Sequence, residues 1–394
     1  MKLKILLLPS ALALIITLFT SLVYAASDPL GVHNNKFGIH IISPIEEEVK
    51  SAANLVNSSG GDWGYVAVVI RSDDMDKAKW QQFFDLLSRY HLIPLVRLAT
   101  KPAGNYWQKP SLDDSKKWAD FLDNLKWPTQ NRYVIVYNEP NHGQEWGNSV
   151  DPTGYAQILD TTIDVLKAKS VDFFVLNAGF DASAPHNPPY FFDEKLFLDE
   201  MEKAKPGILA KLDGWVSHSY PNPGFRGLPL DRGRGSITTF KWEQKLLFEM
   251  GVKKKLPVFI TETGWVHAEG VRYDKSLPNS ETIGQYLKKA YETVWIDPQI
   301  VVVAPFLLDY QDELFAHFSF KKLNYGQVLA AETDAYYPQY KIMAQIPKIA
   351  GLPIIPTPSP SPTPLSPQNM TVTPSSFISE IKQLVNKWLQ MLLN

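Results

Sequence analysis

Between about Lys36 and Gly351 the chain alternates short β-branched or apolar runs with stretches whose apolar residues recur at helical spacing. The short runs predict strands at Phe37–Ile42, Tyr65–Arg71, Ile93–Leu98, Tyr133–Asn138, Phe173–Asn177, Gly214–Ser219, Val258–Thr261 and Ile300–Leu308. The helical patterns predict helices at Pro44–Val56, Asp74–Arg89, Ser111–Leu125, Pro152–Lys169, Phe192–Lys203, Ser236–Met250, Ser280–Trp295 and Pro338–Ile349. Strands that alternate with helices call for a parallel sheet, and eight such units predict closure into a (β/α)8 TIM barrel. A doubly wound open sheet is the competing arrangement.

The two ends depart from this pattern. Lys2 and Lys4 precede an almost wholly apolar run from Ile5 to Tyr24, and Val23-Tyr24-Ala25 offers small residues where a signal peptidase cuts. Residues 1–25 therefore read as a secretory signal peptide, or as an uncleaved membrane anchor because the run is long enough to span a bilayer. The expected location is secreted or extracytoplasmic. At the other end, residues 353–374 are rich in Pro, Ser and Thr, which holds a chain extended and marks a linker. In residues 375–394, Phe377, Ile381, Leu384, Val385, Trp388 and Leu392 form one apolar stripe. That predicts a short amphipathic helix, docked on the barrel or associated with a membrane or cell surface. The catalytic domain is expected at residues 36–351.

Composition narrows the chemistry. The chain has no cysteine, which excludes disulfides, thiolate metal sites and a cysteine nucleophile. Lys+Arg number 39 against Asp+Glu 41, without a basic block, so nucleic acid is not an expected partner. The 11 Trp, 17 Tyr and 20 Phe are enough for a core and for exposed rings that would stack on sugars. A monomer is expected.

In a barrel the chemistry sits where the strands end, at their C-terminal face. The fourth strand region reads YVIVYNEPNHGQEWG and delivers Asn138 and Glu139 before Pro140 stops it; the seventh reads LPVFITETGW and delivers Glu262. The two glutamates lie roughly 120 residues apart, about three βα units, and so face each other across the mouth. Two such carboxyls suit glycosidic cleavage. A separation of about 5–5.5 Å allows direct attack, and about 6.5–9.5 Å admits a water. The sixth strand, GWVSHSY, puts His218 and Tyr220 on one side of an extended chain. Arg71 ends strand two and could supply a cation to a carboxylate; Arg97, at the end of strand three, rivals it. His40 ends strand one as a sugar contact or a packing residue. Trp107, Trp146, Trp265, Tyr106 and Phe225 follow strands and are candidate sugar platforms, whereas Trp80, Trp118, Trp242 and Trp295 lie in helical patterns and belong to the core.

The NEP of Asn138-Glu139-Pro140, the HSY of His218 to Tyr220 and the TETGW of Thr261 to Trp265, in that order and spacing, resemble the clan A retaining glycoside hydrolases, which include the family 5 cellulases and family 39 glycosidases. The resemblance covers the barrel region. It implies Glu139 as acid/base, Glu262 as nucleophile and Asn138 on the sugar 2-hydroxyl. It further implies Tyr220 on the nucleophile, His218 near the acid/base and an arginine on strand two, Arg71. The implied activity is retaining hydrolysis of β-linked poly- or oligosaccharide without cofactor or metal. One departure stands out: family 5 enzymes usually place a tryptophan at the end of strand eight, where this chain reads VVVAPFLLDYQDE with Asp309 and Tyr310. Transglycosylation on the same scaffold and a non-catalytic carbohydrate-binding surface protein are the alternatives.

Overall fold

The computed structural model describes residues 26–323 and 335–356. The expected signal or anchor segment, the amphipathic tail and all but the first four residues of the Pro-rich linker lie outside them. Among the described residues no helix is long and apolar enough to cross a membrane.

Eight parallel strands form the centre: β1 (Gly38–His40), β2 (Gly64–Arg71), β3 (Leu92–Ala99), β4 (Arg132–Ile135), β5 (Phe173–Leu176), β6 (Trp215–His218), β7 (Val258–Glu262) and β8 (Ile300–Val303). Ladders join β1 through β5 in chain order, and β6, β7 and β8 likewise. Single parallel bridges, Leu176 with Gly214 and Phe37 with Val303, close the two remaining edges. The ring of eight is the expected barrel.

The β5–β6 edge is completed by side chains. The buried Asn177 amide donates to Val216 O at 3.1 Å, and its oxygen accepts from Val216 N–H at 2.8 Å. Asp213 accepts from Val175 N–H at 2.7 Å. Buried backbone groups that lack a ladder partner must find another, and here asparagine and aspartate supply it.

Among the described residues eight helices of at least eight residues surround the ring: α1 (Glu46–Val56), α2 (Lys77–Arg89), α3 (Leu112–Asp123), α4 (Pro152–Lys169), α5 (Glu194–Ala204), α6 (Thr239–Glu249), α7 (Ser280–Thr293) and α8 (Pro338–Gln345). Asp76, Asp151, Asp193 and Asn279 cap α2, α4, α5 and α7 through backbone N–H groups. Asp73 and Asp74, which precede Asp76, pair with Arg71 and Lys79. Apolar helix faces pack on the outer faces of the strands in one continuous core. Alternate strand residues fill the interior, with Tyr133, Phe174 and Phe259 in mutual ring contact at 5.1–5.6 Å. Gly214 is required here, because a Cβ would stand 2.8 Å from the Phe259 ring.

One polar pair interrupts the outer core. Glu194 of α5 and Glu243 of α6 are both fully buried behind Trp215 and Ser217 of β6, and burial raises both carboxyls.

Two strands end three or more residues before the hydrophobic pattern predicts. β4 stops at Ile135, since Tyr137 takes a φ of 71° and Glu139 one of 30°. β8 stops at Val303, just before Pro305, which has no N–H to give a ladder.

Candidate active site

The site is built where β3, β4, β6 and β7 end. Phe259 of β7 points into the barrel, so simple alternation would turn Thr261 inward and Glu262 outward. The ladder instead skips a residue: Ser217 pairs with Ile260, then His218 with Glu262. This bulge brings Glu262 level with His218, facing the barrel mouth. On β4 the positive φ at Tyr137 does similar work. Tyr137 turns outward into the helix layer, and Asn138 and Glu139 are presented above the barrel, Glu139 N–H donating to Gly179 O at 3.0 Å. Gly179 is needed for a second reason: a Cβ there would stand 2.1 Å from the His218 ring.

The Glu262 carboxylate accepts from Arg97 Nη1 on Oε1 at 2.9 Å and from the Tyr220 hydroxyl on Oε2 at 3.2 Å. Glu139 Oε1 meets His218 Nδ1 at 2.8 Å. Behind Glu139, His142 Nδ1 stands 3.8 Å from Oε2, and its Nε2 meets Asp181 at 2.9 Å. Arg97 also donates to Asn138 Oδ1 at 2.6 Å. One oxygen of Glu139, one of Glu262 and a His218 nitrogen all lie within 4.8 Å of one another.

Burial pushes the Glu262 carboxyl up, but the charges of His218 and Arg97 and the Tyr220 hydrogen bond outweigh it, and the net shift is downward. Burial opposes the His218 cation, yet Glu262 and Glu139 together raise its pKa. His40, buried with Nε2 3.9 Å from Glu262, is pushed down to about 4 by burial, so its ring is neutral at neutral pH. Burial, with Glu262 and Glu139 nearby, holds the Tyr220 phenol well above 10, which keeps it a donor. Glu139, His218 and Glu262 are close enough to grip a cation, but both Glu262 oxygens already accept hydrogen bonds, one from a guanidinium. A divalent metal would have to displace that charge, so the donor set fits a metal poorly.

No protein-family model and no curated protein matches the chain. Solved structures do. A glucosidase from Croceicoccus marinus aligns with a TM-score of 0.51 at 12% identity, over 75% of this chain and 64% of that one. This chain thus spans less than two thirds of the glucosidase. A fungal β-1,4-galactanase gives 0.49 at 13% identity over 76% and 91% of the two chains. The β-mannanase of Thermomonospora fusca gives 0.47 at 13% over 78% and 87%. The likeness to the glucosidase is one of fold: both chains share the parallel (β/α)8 barrel.

Against that fold, the residues singled out by sequence separate into two groups. Glu139, Glu262, Asn138, His218, Tyr220 and His40 converge at the mouth. Arg71 does not reach it: it lies on the rim, bonded to Asp73 at 2.9 Å. The register explains why. Arg97 is level with Val69, whereas Arg71 is level with Ala99, one inward position higher and beyond Glu262. Two tryptophans expected as platforms are core instead. Trp146 is 1% exposed, its ring edge-on to Tyr137 and Tyr155. Trp265 is 2% exposed, its indole N–H donating to Gly227 O at 2.6 Å. Trp107 and Tyr106 are partly exposed on a hairpin beside the segment that follows Glu139. Phe225 packs edge-on to Tyr220 with ring centres 4.9 Å apart. Because β8 ends early, the aromatic ring at its mouth is Phe306, 5.2 Å from the His40 ring, rather than Tyr310.

Sequence reasoning missed His142 and Glu145. They follow Glu139 at steps of three, the spacing of a tight helical turn, and Gly143–Glu145 is a 3-10 turn. Reading NEPNHGQE at that period would have placed them beside Glu139.

Proposed function

We propose that the chain is a retaining glycoside hydrolase acting on β-linked sugars. The observation that carries this reading is the pair of carboxylates across the barrel mouth, with oxygens within 4.8 Å, one held ionised by Arg97 and Tyr220. That spacing favours direct attack over water-mediated inversion. Glu262, charged and fixed by two donors, attacks the anomeric carbon. Glu139 gives its proton to the leaving oxygen as the glycosidic bond breaks. In the second step Glu139 takes a proton from water, whose oxygen displaces Glu262 and restores both groups. His218 orients Glu139 throughout, and Asn138, fixed by Arg97, offers an N–H to the sugar 2-hydroxyl. Phe306, Phe225 and Trp107 supply flat apolar faces for sugar rings. The expected signal segment supports an extracytoplasmic site of action on carbohydrate.

The test is hydrolysis of β-glucans, mannan and xylan by wild type, Glu262→Ala and Glu139→Ala. Both variants should lose activity. On an activated β-glycoside, azide should yield the β-azide with Glu139→Ala and the α-azide with Glu262→Ala. Full activity in Glu262→Ala would overturn the reading, and NMR of the first-formed anomer separates retention from inversion.

A further inference from the structure

The base of the barrel, where the strands begin, carries features that the chemistry at the mouth leaves unexplained. Both ends of the described barrel chain pass through it. Ala26 packs against the inward-facing cluster of the barrel. Ser27 is fastened to Asn131, the residue before β4: Ser27 N–H donates to Asn131 Oδ1 at 3.0 Å, and the Asn131 amide donates to Ser27 O at 2.7 Å. The exit runs beside the entry, Leu352 N–H donating to His33 O at 2.8 Å and Gln130 N–H to Ile354 O at 2.7 Å. The apolar run Ile5–Tyr24 thus joins the fold on the face opposite the glutamates.

This face exposes large apolar side chains. Ile349 and Leu352 are 64% and 63% exposed, and Val32 and Ile354, exposed as well, line one hollow under the barrel. Phe248, in the last turn of α6, is 71% exposed, and Ile296, before β8, is 63% exposed. The two groups are joined. Lys36 of the entry segment donates to Asp297 O at 2.8 Å, and Val258 N–H, at the start of β7, donates to Gln299 O at 2.8 Å. Exposed rings at the mouth have sugar to meet. The base of a barrel holds no chemistry for such side chains to serve, and exposed apolar residues grouped there mark a contact surface.

Charge says what the contact is. Phe248 shares a shallow depression with Lys253, Lys254 and Lys255, three consecutive exposed cations. Among the described residues none of the three forms an ion pair. The acids of adjoining base loops are engaged elsewhere, Asp213 with Lys167 at 2.7 Å and Asp297 with Lys241 at 3.0 Å. Apolar side chains beside unpaired lysines suit anionic lipid: the former enter the acyl boundary and the ammonium groups meet the phosphates. A nucleic acid would satisfy the lysines and leave Ile349 and Leu352 in water.

We propose that the base of the barrel is a contact face for a bilayer rich in anionic phospholipid, with Phe248, Ile296 and Leu352 entering the headgroup region, Lys253, Lys254 and Lys255 meeting the phosphates, and the mouth turned away from the lipid. The lysines set the lipid preference and the apolar side chains set the depth.

The chain has no cysteine, so a single introduced one is labelled alone. Full chains carrying Phe248→Cys, Leu352→Cys or, at the mouth, Tyr190→Cys receive a fluorophore and meet vesicles of phosphatidylcholine, with or without phosphatidylglycerol, whose acyl chains carry a spin-label quencher. All three side chains are exposed, and circular dichroism checks that each variant melts like wild type. With phosphatidylglycerol the labels at 248 and 352 should lie about 5–10 Å into the boundary and be quenched, and the label at 190 should not. Omitting phosphatidylglycerol, or adding Lys253→Gln, Lys254→Gln and Lys255→Gln together, should cut the quenching at 248 at least about threefold. Vesicle binding without quenching at 248 and 352 would show that the terminal segments alone hold the chain, and would overturn the proposal. Absence of binding, equal quenching at 190 and 248, or quenching indifferent to phosphatidylglycerol and to the lysines would overturn it as well.

Discussion

The buried pair Glu194 and Glu243 makes the stability of this barrel depend on pH in a direction opposite to that of most carboxylates. Glu243 faces Trp215, Ser217 and Glu194, with His218 the cation whose field reaches it; Glu194 faces Glu243 and feels Arg234 and Asp181. Arg234 is itself paired to Asp193 at 2.7 Å. Burial moves the Glu243 carboxyl from 4.5 to about 7. The folded protein therefore holds a proton that the unfolded chain releases above about pH 4.5, and stability falls as pH rises from there to about 7. At about 1.4 kcal/mol per decade, this carboxyl alone withdraws about 3 kcal/mol by pH 8. Glu194 is raised in the same direction and adds to it. Glu243→Gln replaces the titrating group with a permanent N–H donor to Glu194. Calorimetric unfolding between pH 4.5 and 8.5 should show the variant close to wild type at the acid end. At pH 8 it should be more stable by about 2–3 kcal/mol, which is several degrees in Tm. Glu48 and Glu145, both also at about 7, are present in both proteins and cancel in the difference. Parallel pH curves for the two proteins would refute the reasoning.

Three further outcomes follow from the geometry. Asn177→Ala strands the N–H and C=O of Val216 and should cost about 2–4 kcal/mol by thermal unfolding; a loss under about 1 kcal/mol would show that the β5–β6 edge does not depend on it. Arg97→Met should lower kcat/KM at least about 100-fold and move the acid limb of the pH–rate profile upward, because Glu262 loses a charge that keeps its pKa down. Arg71→Met should stay within about twofold, and equal effects at the two arginines would contradict their placement. Trp146→Ala should cost about 3–5 kcal/mol of stability. Trp107→Ala should instead raise KM with little change in Tm, and the reverse pattern would reassign both rings.

Alternation of strand and helix patterns was enough to read the barrel, since each strand is an apolar run and each helix carries one apolar face. Register was not legible. Nothing in VFITE tells that β7 skips a residue, and without that bulge Thr261 would face the mouth. Arg71 and Arg97 both end apolar strands, and only their pairing levels, opposite Ala99 and Val69, separate a rim residue from a site residue. Loop position was a poor guide for tryptophan: Trp146 and Trp265 follow strands yet find aromatic partners in the helix layer. His142 and Glu145 escaped because a three-residue period is too short to stand out beside a strand signal.

The two single-bridge edges divide the ring into a five-stranded and a three-stranded sheet, and the glutamates belong to different ones. Glu139 follows β4 in the larger sheet, and Glu262 ends β7 in the smaller. The gap between their carboxylates is therefore spanned by no single strand ladder and lies over the joint between the two sheets. Two contacts cross that joint in opposite directions: Arg97 of the larger sheet to Glu262, and His218 of the smaller to Glu139. The same groups that would carry the chemistry thus tie the halves together. In the proposed reaction, forming the glycosyl-enzyme discharges Glu262 and slackens one of the two ties.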